Sequence, residues 1–431
     1  MSGGAHMKPY PEYKYSGVEW LGEVPCEWHA CRLQYCASVN DESLGEDTPT
    51  DYNIAYVDIG GVSSEGTIAP PVEMLFGDAP SRARRIVKNS DVLVSTVRTY
   101  LKAIAPVENA PPNLIASTGF AVLRPLDCIH RRFLAYALRQ DGFVSTVVAN
   151  SVGISYPAIN ASDLVKIPIP LPPLAEQEKI AAFLDYETER MDQLIEKQEK
   201  LIELLKEKRQ AVISHAVTKG LNPDAPMKDS GVEWLGEVPA HWGVVATSRC
   251  SDLTTGSRDT QDSKPEGQYP FFVRSQEIER IGSYSFDGEG VLTSGDGAGV
   301  GKIFHHYIGK LEFHQRVYLF YNFKGVIGLY FFYFLREHLA IVALAGNAKS
   351  TIDSLRRPML RSFPICRPPL AEQEAIVAYL ADQTDRMDLA VGAAERAIAL
   401  LRERRTAVIS AAVTGKIDVR DWQPPREEAA S

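Results

Sequence analysis

SGVEWLGEVP occupies Ser16 to Pro25, and the same ten letters return at Ser230 to Pro239, 214 residues on. A repeat this long decides the architecture before any single element is assigned. A second stretch, PPLAEQEKI from Pro172, returns as PPLAEQEAI from Pro368, now at an offset of 196. The match continues downstream. Arg190-Met191-Asp192 recurs as Arg386-Met387-Asp388, Lys208-Arg209 as Arg404-Arg405, and Ala211 to Ser214 as Ala407 to Ser410. Between these landmarks the halves diverge: Cys26 to Leu171 is 146 residues and Ala240 to Arg367 is 128, and the difference of 18 equals the difference between the offsets. Faint echoes survive inside, Phe120-Ala-Val-Leu against Arg316-Val-Tyr-Leu and Leu164 and Pro168 against Leu360 and Pro364, all at an offset of 196. The divergent segments are therefore expected to share one α+β fold with different surfaces. Two copies of this size exclude a solenoid and imply a fused, pseudo-two-fold pair of half-proteins.

Ala175 to Val217 reads as one long helix. Ile180, Leu184, Met191, Ile195, Ile202, Leu205 and Val212 recur at three-and-four spacing, the seam of a coiled coil or bundle. Pro172-Pro173 precede the helix, and Lys219-Gly220 with Pro223 end it. Glu196–Lys200 and Glu203–Lys208 are expected to pair along its exposed side. Leu370 to Val413 repeats the pattern with Ile376, Leu380, Met387, Ile398, Leu401 and Val408. Neither stripe can be buried alone, so the two helices are expected to pack antiparallel and act as a spacer between the globules. Within the globules, residues 91–97 and 317–321 read as strands. Phe133–Leu138 and Leu329–Leu335 read as short helices.

The 431 residues are 45% apolar and 23% charged, ordinary for a globular chain, with a net charge of −9. That balance excludes gripping nucleic acid by bulk charge alone. The richest apolar stretch, Val317 to Leu335, is broken by Asn322 and Lys324 and is spaced like strands, so no membrane span is expected. Six scattered cysteines fit neither a zinc site nor a disulfide scaffold, which points to the cytoplasm. Met1 to His6 reads as an expression scar before a native start at Met7.

Several motifs resemble catalytic signatures without completing them. In Gly295-Asp-Gly-Ala-Gly-Val-Gly-Lys302, Asp296 stands where a P-loop needs its first glycine and Ile303 where it needs a hydroxyl. The run is either a glycine loop delivering Lys302 to a phosphate or a hairpin turn. Phe286-Asp-Gly-Glu-Gly290 spells the FxGxG of methyl-donor sites, but no amine-placing motif accompanies it. His305, His306 and His314 lack the partners of a metal site and are expected at the surface. No catalytic constellation, cofactor or metal is expected.

Cationic clusters remain. Arg82, Arg84, Arg85 and Lys88 crowd one stretch, followed by Arg98 and Lys102; in the second divergent segment Arg274, Lys302, Arg316 and Lys349 recur among aromatics. The first segment holds 12 basic and 15 acidic residues and the second 15 and 12, so only the second is net positive, at +3. Arginine suits guanine edges and phosphates. Charge and repeat position make Arg82, Arg84, Arg85, Arg98, Lys102, Arg274, Lys302, Arg316 and Lys349 the candidate DNA contacts. The matching loops Asn150–Ser155, with Ser151 and Ser155, and Gly346–Thr351 are expected to face DNA too.

The duplicated lead-in, the duplicated PPLAEQE helix start, the RMD core and the AVIS close together resemble the specificity subunits of type I restriction–modification systems, over Met7 to about Asp418. The resemblance implies two divergent α/β target recognition domains joined by two long antiparallel coiled-coil helices. It divides the chain into a conserved segment at 7–25, recognition domains at 26–171 and 240–367, a central conserved helix at 172–220, a linker with the repeated lead-in at 221–239, a C-terminal conserved helix at 368–418 and a flexible tail at 419–431. It implies a non-catalytic subunit that reads an asymmetric bipartite target in double-stranded DNA. Two adenine-N6 methyltransferase subunits would dock on it, and through them ATP-dependent restriction subunits. Inserting four residues near Glu199 would then change the unread gap but not the half-sites. The competing readings are a coiled-coil adaptor, for which charge reversal at Arg84 and Lys302 is harmless, and a stand-alone enzyme, for which no residues stand out.

Overall fold

The computed structural model describes residues 8–153, 157–297, 300–346 and 355–425. The chain divides into two compact units: Met1–Lys197 with Ala397–Ser431, and Gln198–Arg396. Two long helices, Leu174–Lys219 and Leu370–Val413, contribute one end to each unit.

In the first unit, two four-stranded sheets carry the divergent segment. One runs Ala37–Val39, Phe120–Pro125, Val92–Ser95, Ile104–Pro106, antiparallel throughout. The other runs Val72–Leu75, Asn53–Val57, Leu114–Ser117, Ala83–Ile86, with its central pair parallel. Helices Arg131–Arg139 and Asp141–Ala149 close the core. Phe133, Leu134 and Phe143 are buried there with Trp28, three residues past the repeated lead-in. Ile180 and Leu184, near the start of the first long helix, share this core with Ile409 and Val413, at the end of the second. The two helix ends therefore run antiparallel, as the shared stripe requires.

The second unit repeats the plan in one six-stranded sheet: Asp252–Thr255, Val317–Tyr321, Phe286–Ser294, Phe304–Phe313, Tyr269–Phe272, Glu279–Ile281. The long strand Phe304–Phe313 takes the places of both Ile104–Pro106 and Leu114–Ser117: it pairs antiparallel with Phe286–Ser294 and parallel with Tyr269–Phe272. A single helix, Gly328–Gly346, replaces the broken pair of the first unit. Ile213 and Val217 bury against Ile376 and Leu380, again antiparallel.

The repeated letters have matching structural roles. In both lead-ins the serine N–H reaches the second glycine's carbonyl, Ser16 to Gly22 at 2.9 Å and Ser230 to Gly236 at 3.0 Å. Gln177 of the PPLAEQE motif is fully buried. It accepts from His130 N (2.8 Å) and donates to Pro172 O (2.8 Å) and Cys128 O (3.1 Å). Gln373 repeats the clamp with Ile327 N (2.8 Å), Pro368 O (2.8 Å) and Gly325 O (3.2 Å). Each glutamine ties the start of a long helix to the chain entering the globule's helix, which is why this letter is kept while its surroundings diverge.

Four expectations are corrected. Phe120 pairs with Ser95 and Val317 with Ser294, which makes Val317 the counterpart of Phe120 and the strand offset 197. The echo read at 196 is one residue out, and one residue in a strand exchanges its faces. Of the apolar stretch 317–335, only Val317–Tyr321 is strand, and helix begins at Gly328, because the turn at Asn322–Gly325 resets the backbone. On the first long helix Lys200 pairs with Glu203 at 2.7 Å rather than with Glu196. Packed chain also runs past residue 418, with Val419 buried and Trp422 edge-on to Phe183.

Candidate nucleic-acid interface

In the first unit, the hairpin between Val92–Ser95 and Ile104–Pro106 carries Arg98 and Lys102. Both adopt left-handed backbone (φ +52° and +54°) and bracket the short turn Thr99–Leu101. Non-glycine residues hold that conformation only when their surroundings impose it. Here the Ser95 hydroxyl donates to Val97 O (2.6 Å), Arg98 N to Pro157 O (2.8 Å) and Ile159 N to Thr96 O (2.9 Å). The Ser151 hydroxyl meets that of Thr99 at 2.9 Å, so Arg98, Lys102 and Ser151 share one surface. Lys102 spends part of its charge on Asp141, 2.6 Å away and equally exposed. Arg82 joins through the neighbouring turn: its carbonyl accepts from Thr118 N (2.8 Å), while Thr96 N donates to Gly119 O (2.8 Å). Its guanidinium pairs with Asp58 at 2.7 Å.

Arg84 and Arg85 lie apart, on strand Ala83–Ile86. Arg84 sits over the Phe76 ring, 4.6 Å from its centre. The Arg85 Nε is buried with no hydrogen-bond partner among the described residues. Ser155, Lys349 and most of the Gly346–Thr351 loop lie outside the described residues.

The second unit builds the same hairpin from different letters. The Ser294 hydroxyl donates to Asp296 O (3.0 Å) as Ser95 does to Val97. Leu355 N donates to Gly295 O (2.8 Å) as Ile159 does to Thr96, and Gly295 N donates to Arg316 O (2.8 Å) as Thr96 does to Gly119. Gly297 (φ +75°) and Gly301 (φ +68°) supply the left-handed positions here. The glycine run is thus a hairpin connection, with Lys302 exposed at its far end. The FxGxG run lies inside strand Phe286–Ser294, with Gly288 opposite Gly309, so no cofactor-binding turn follows it.

Arg274 and Arg316 converge on Asp296, at 3.1 and 2.6 Å. Burial pushes the Asp296 carboxyl upward, but the bonds from Arg316 and Arg274 outweigh it and hold the group below its ordinary range. The histidines are not surface groups. His305 and His314 are buried and His306 bonds Glu289 at 2.8 Å. His305 and His306 lie on an interior strand of the sheet, and His314 sits in the tight turn that follows it. Among the described residues no three His, Cys, Asp or Glu side chains gather to hold a metal ion.

A family model for the type I restriction modification DNA specificity domain matches residues 52–204 and 244–392, once in each half of the duplication. The chain belongs to this family. As a type I specificity subunit it is a non-catalytic component of a restriction–modification system. It is 25% identical over 439 aligned positions to the putative type I restriction enzyme MjaX specificity subunit of Methanocaldococcus jannaschii, covering 95% of this chain and 98% of that one. The type I restriction enzyme EcoDI specificity subunit of Escherichia coli is 27% identical over 195 residues, which is 45% of this chain and 43% of its own length. A chain from a structural study of complex assembly and conformational transition in the type I R-M system superposes with a TM-score of 0.75 at 26% identity, covering 91% of this chain and 99% of that one. The HsdS subunit of Thermoanaerobacter tengcongensis superposes at 0.53 with 25% identity, covering 91% and 98%.

The specificity subunit's fold brings together candidates chosen by charge and repeat position, Arg98 and Lys102 with Ser151, and Arg274 with Arg316. The acids Asp58, Asp141 and Asp296 escaped that count. No local signal marks them, because each meets its cation across a separation in sequence that only the fold closes. Among the described residues no helix is long and apolar enough to cross a membrane.

Proposed function

We propose that this specificity subunit reads an asymmetric, bipartite target in duplex DNA, one half-site per unit, through the paired hairpins at 95–103 and 294–303. The observation that carries the proposal is one loop scaffold built twice with different side chains: Arg98 and Lys102 in one, Asp296 and Lys302 in the other. A common frame with different functional groups is what two different half-sites require. Base edges in the major groove are distinguished by donors and acceptors at fixed positions, so a rigid loop root with variable side chains can exchange letters without refolding. Arg84 and Arg85, held away from the hairpin, have no direct part in this reading.

The subunit would dock two adenine-N6 methyltransferase subunits and, through them, restriction subunits. Exposed leucines on the long helices support a protein partner there: Leu194 and Leu400 in the first unit, Leu201, Leu204 and Leu389 in the second. Leu389 and Leu400 are 72% and 65% exposed, apolar area that a partner would cover. Methyltransferases would also supply the phosphate contacts that a chain of net charge −9 lacks. The test is a methylation map. The chain is co-expressed with the modification subunit from its own operon, and methyl-adenine positions are read by single-molecule sequencing. One split motif, methylated on both strands and absent without this chain, is expected. An assembled complex that yields no split motif would overturn the proposal.

A further inference from the structure

Arg316 is fixed at both backbone and side chain. Its N–H donates to the buried ring of His314 (2.9 Å), and its carbonyl accepts from Gly295 N (2.8 Å) at the hairpin root. Its Nη1 donates to Asp296 Oδ2 (2.6 Å), while Arg274 Nη1 takes Asp296 Oδ1 (3.1 Å). The Arg316 side chain is nonetheless 58% exposed. With Nη1 committed to Asp296, the Nε–Nη2 edge keeps two near-parallel donors, on a side chain more than half exposed, with no hydrogen-bond partner among the described residues. The corresponding turn of the first unit carries Gly119 where Arg316 stands, so this fork belongs to the second unit alone.

We propose that Arg316, oriented by Asp296, reads a guanine in the half-site of the second unit, through the N7 and O6 acceptors of its major-groove edge. The inference rests on the functional reading above and narrows it to one base. A bidentate arginine edge matches guanine and no other base in the major groove. A phosphate anchor would be built differently. Backbone affinity follows net charge, and Asp296 cancels one of the two cations beside it while repelling phosphate. Lys302, exposed at the far end of the same hairpin, suits that task. The carboxylate costs general affinity but immobilises a side chain that otherwise loses several rotamers on binding, so discrimination is gained through pre-organisation. Asp296 is in this sense a positioning residue.

The test uses the complete complex with its modification subunit, comparing wild type with Arg316→Lys and Asp296→Asn by methylation mapping. Arg316→Lys keeps the charge and loses the fork. It is expected to relax a single G·C position of one half-site, lowering discrimination there by about 5- to 100-fold, with the other half-site and the gap unchanged. Asp296→Asn is expected to relax the same position to a smaller extent. If Arg316→Lys instead lowers methylation uniformly across sequences and reduces the salt dependence of binding, Arg316 is a phosphate contact and the inference fails. A split motif with no G·C pair in the half-site that the second unit reads overturns the inference alone. Loss of thermal stability in Asp296→Asn with unchanged letters overturns the positioning role. A wild-type complex with no split motif overturns the functional reading itself, a result that none of the variant outcomes resembles.

Discussion

Replacing Gln177 with Met keeps the side chain's volume and removes all three of its hydrogen bonds, to His130 N, Pro172 O and Cys128 O. The site is fully buried, so water cannot readily take the glutamine's place. An orphaned buried N–H costs about 1–3 kcal/mol, and each of the two further bonds lost about 0.5–1.5 kcal/mol, which brings the expected destabilisation to roughly 4 kcal/mol. For a domain of this size each kcal/mol lowers the melting temperature by about 2–4 °C, so the first unit is expected to melt about 8–16 °C lower. Gln373→Met removes a set of bonds with nearly the same partners and distances in the second unit. Its cost is expected within about 1 kcal/mol of the first. Hydrogen exchange resolved by peptide assigns each loss to its unit, with calorimetry giving the size. A shift below about 2 °C for either variant would show that the glutamine is not the clamp described here, and a loss spread over both units would show that the clamp is not local.

Three further outcomes are expected. Burial lowers the titration of His305, His314 and His338 in the second unit and of His130 in the first. Below the unfolded value near 6.5 the unfolded chain binds protons that these folded rings refuse, so stability is full above that pH and falls toward acid. The second unit should lose more protection than the first between pH 7 and 5.5, and equal losses would refute this account. Arg98→Ala should alter or abolish one half-site of the methylation map while Arg84→Ala leaves both intact; the reverse ranking would sink the hairpin reading. Inserting one turn of four residues near Glu199 should change the unread gap by one or two base pairs, since each turn adds about 5.4 Å. An unchanged gap would mean that the helices do not set it.

Duplication, helix periodicity and the proline and glycine boundaries were all legible in the letters. They are local or repeated patterns, and a 3.6-residue stripe from Ile180 to Val212 has one physical solution. Both long helices were read to within two residues at each end. The shared fold of the divergent segments was legible only as an echo, and its register was off by one because four letters cannot say which of them face the core. The histidines were placed at the surface because composition treats them as polar, whereas the sheet buries His305 on an interior strand.

The candidate interface divides the same way. Charge patterning chose Arg98, Lys102, Arg274 and Arg316, and could not exclude Arg84 or Arg85. Their chemistry is identical in the chain, and only the fold decides that Arg84 lies over Phe76 while Arg98 stands on a hairpin. By itself, the sequence determined that this protein is one domain written twice around a paired helix, because burying a repeated apolar stripe leaves little choice. Which cations are held by a carboxylate was decided by tertiary structure alone. Residues 274, 296 and 316 meet only when the sheet brings together the ends of Tyr269–Phe272, Phe286–Ser294 and Val317–Tyr321, the first two separated by Phe304–Phe313, and an ion pair depends on distance in space rather than along the chain.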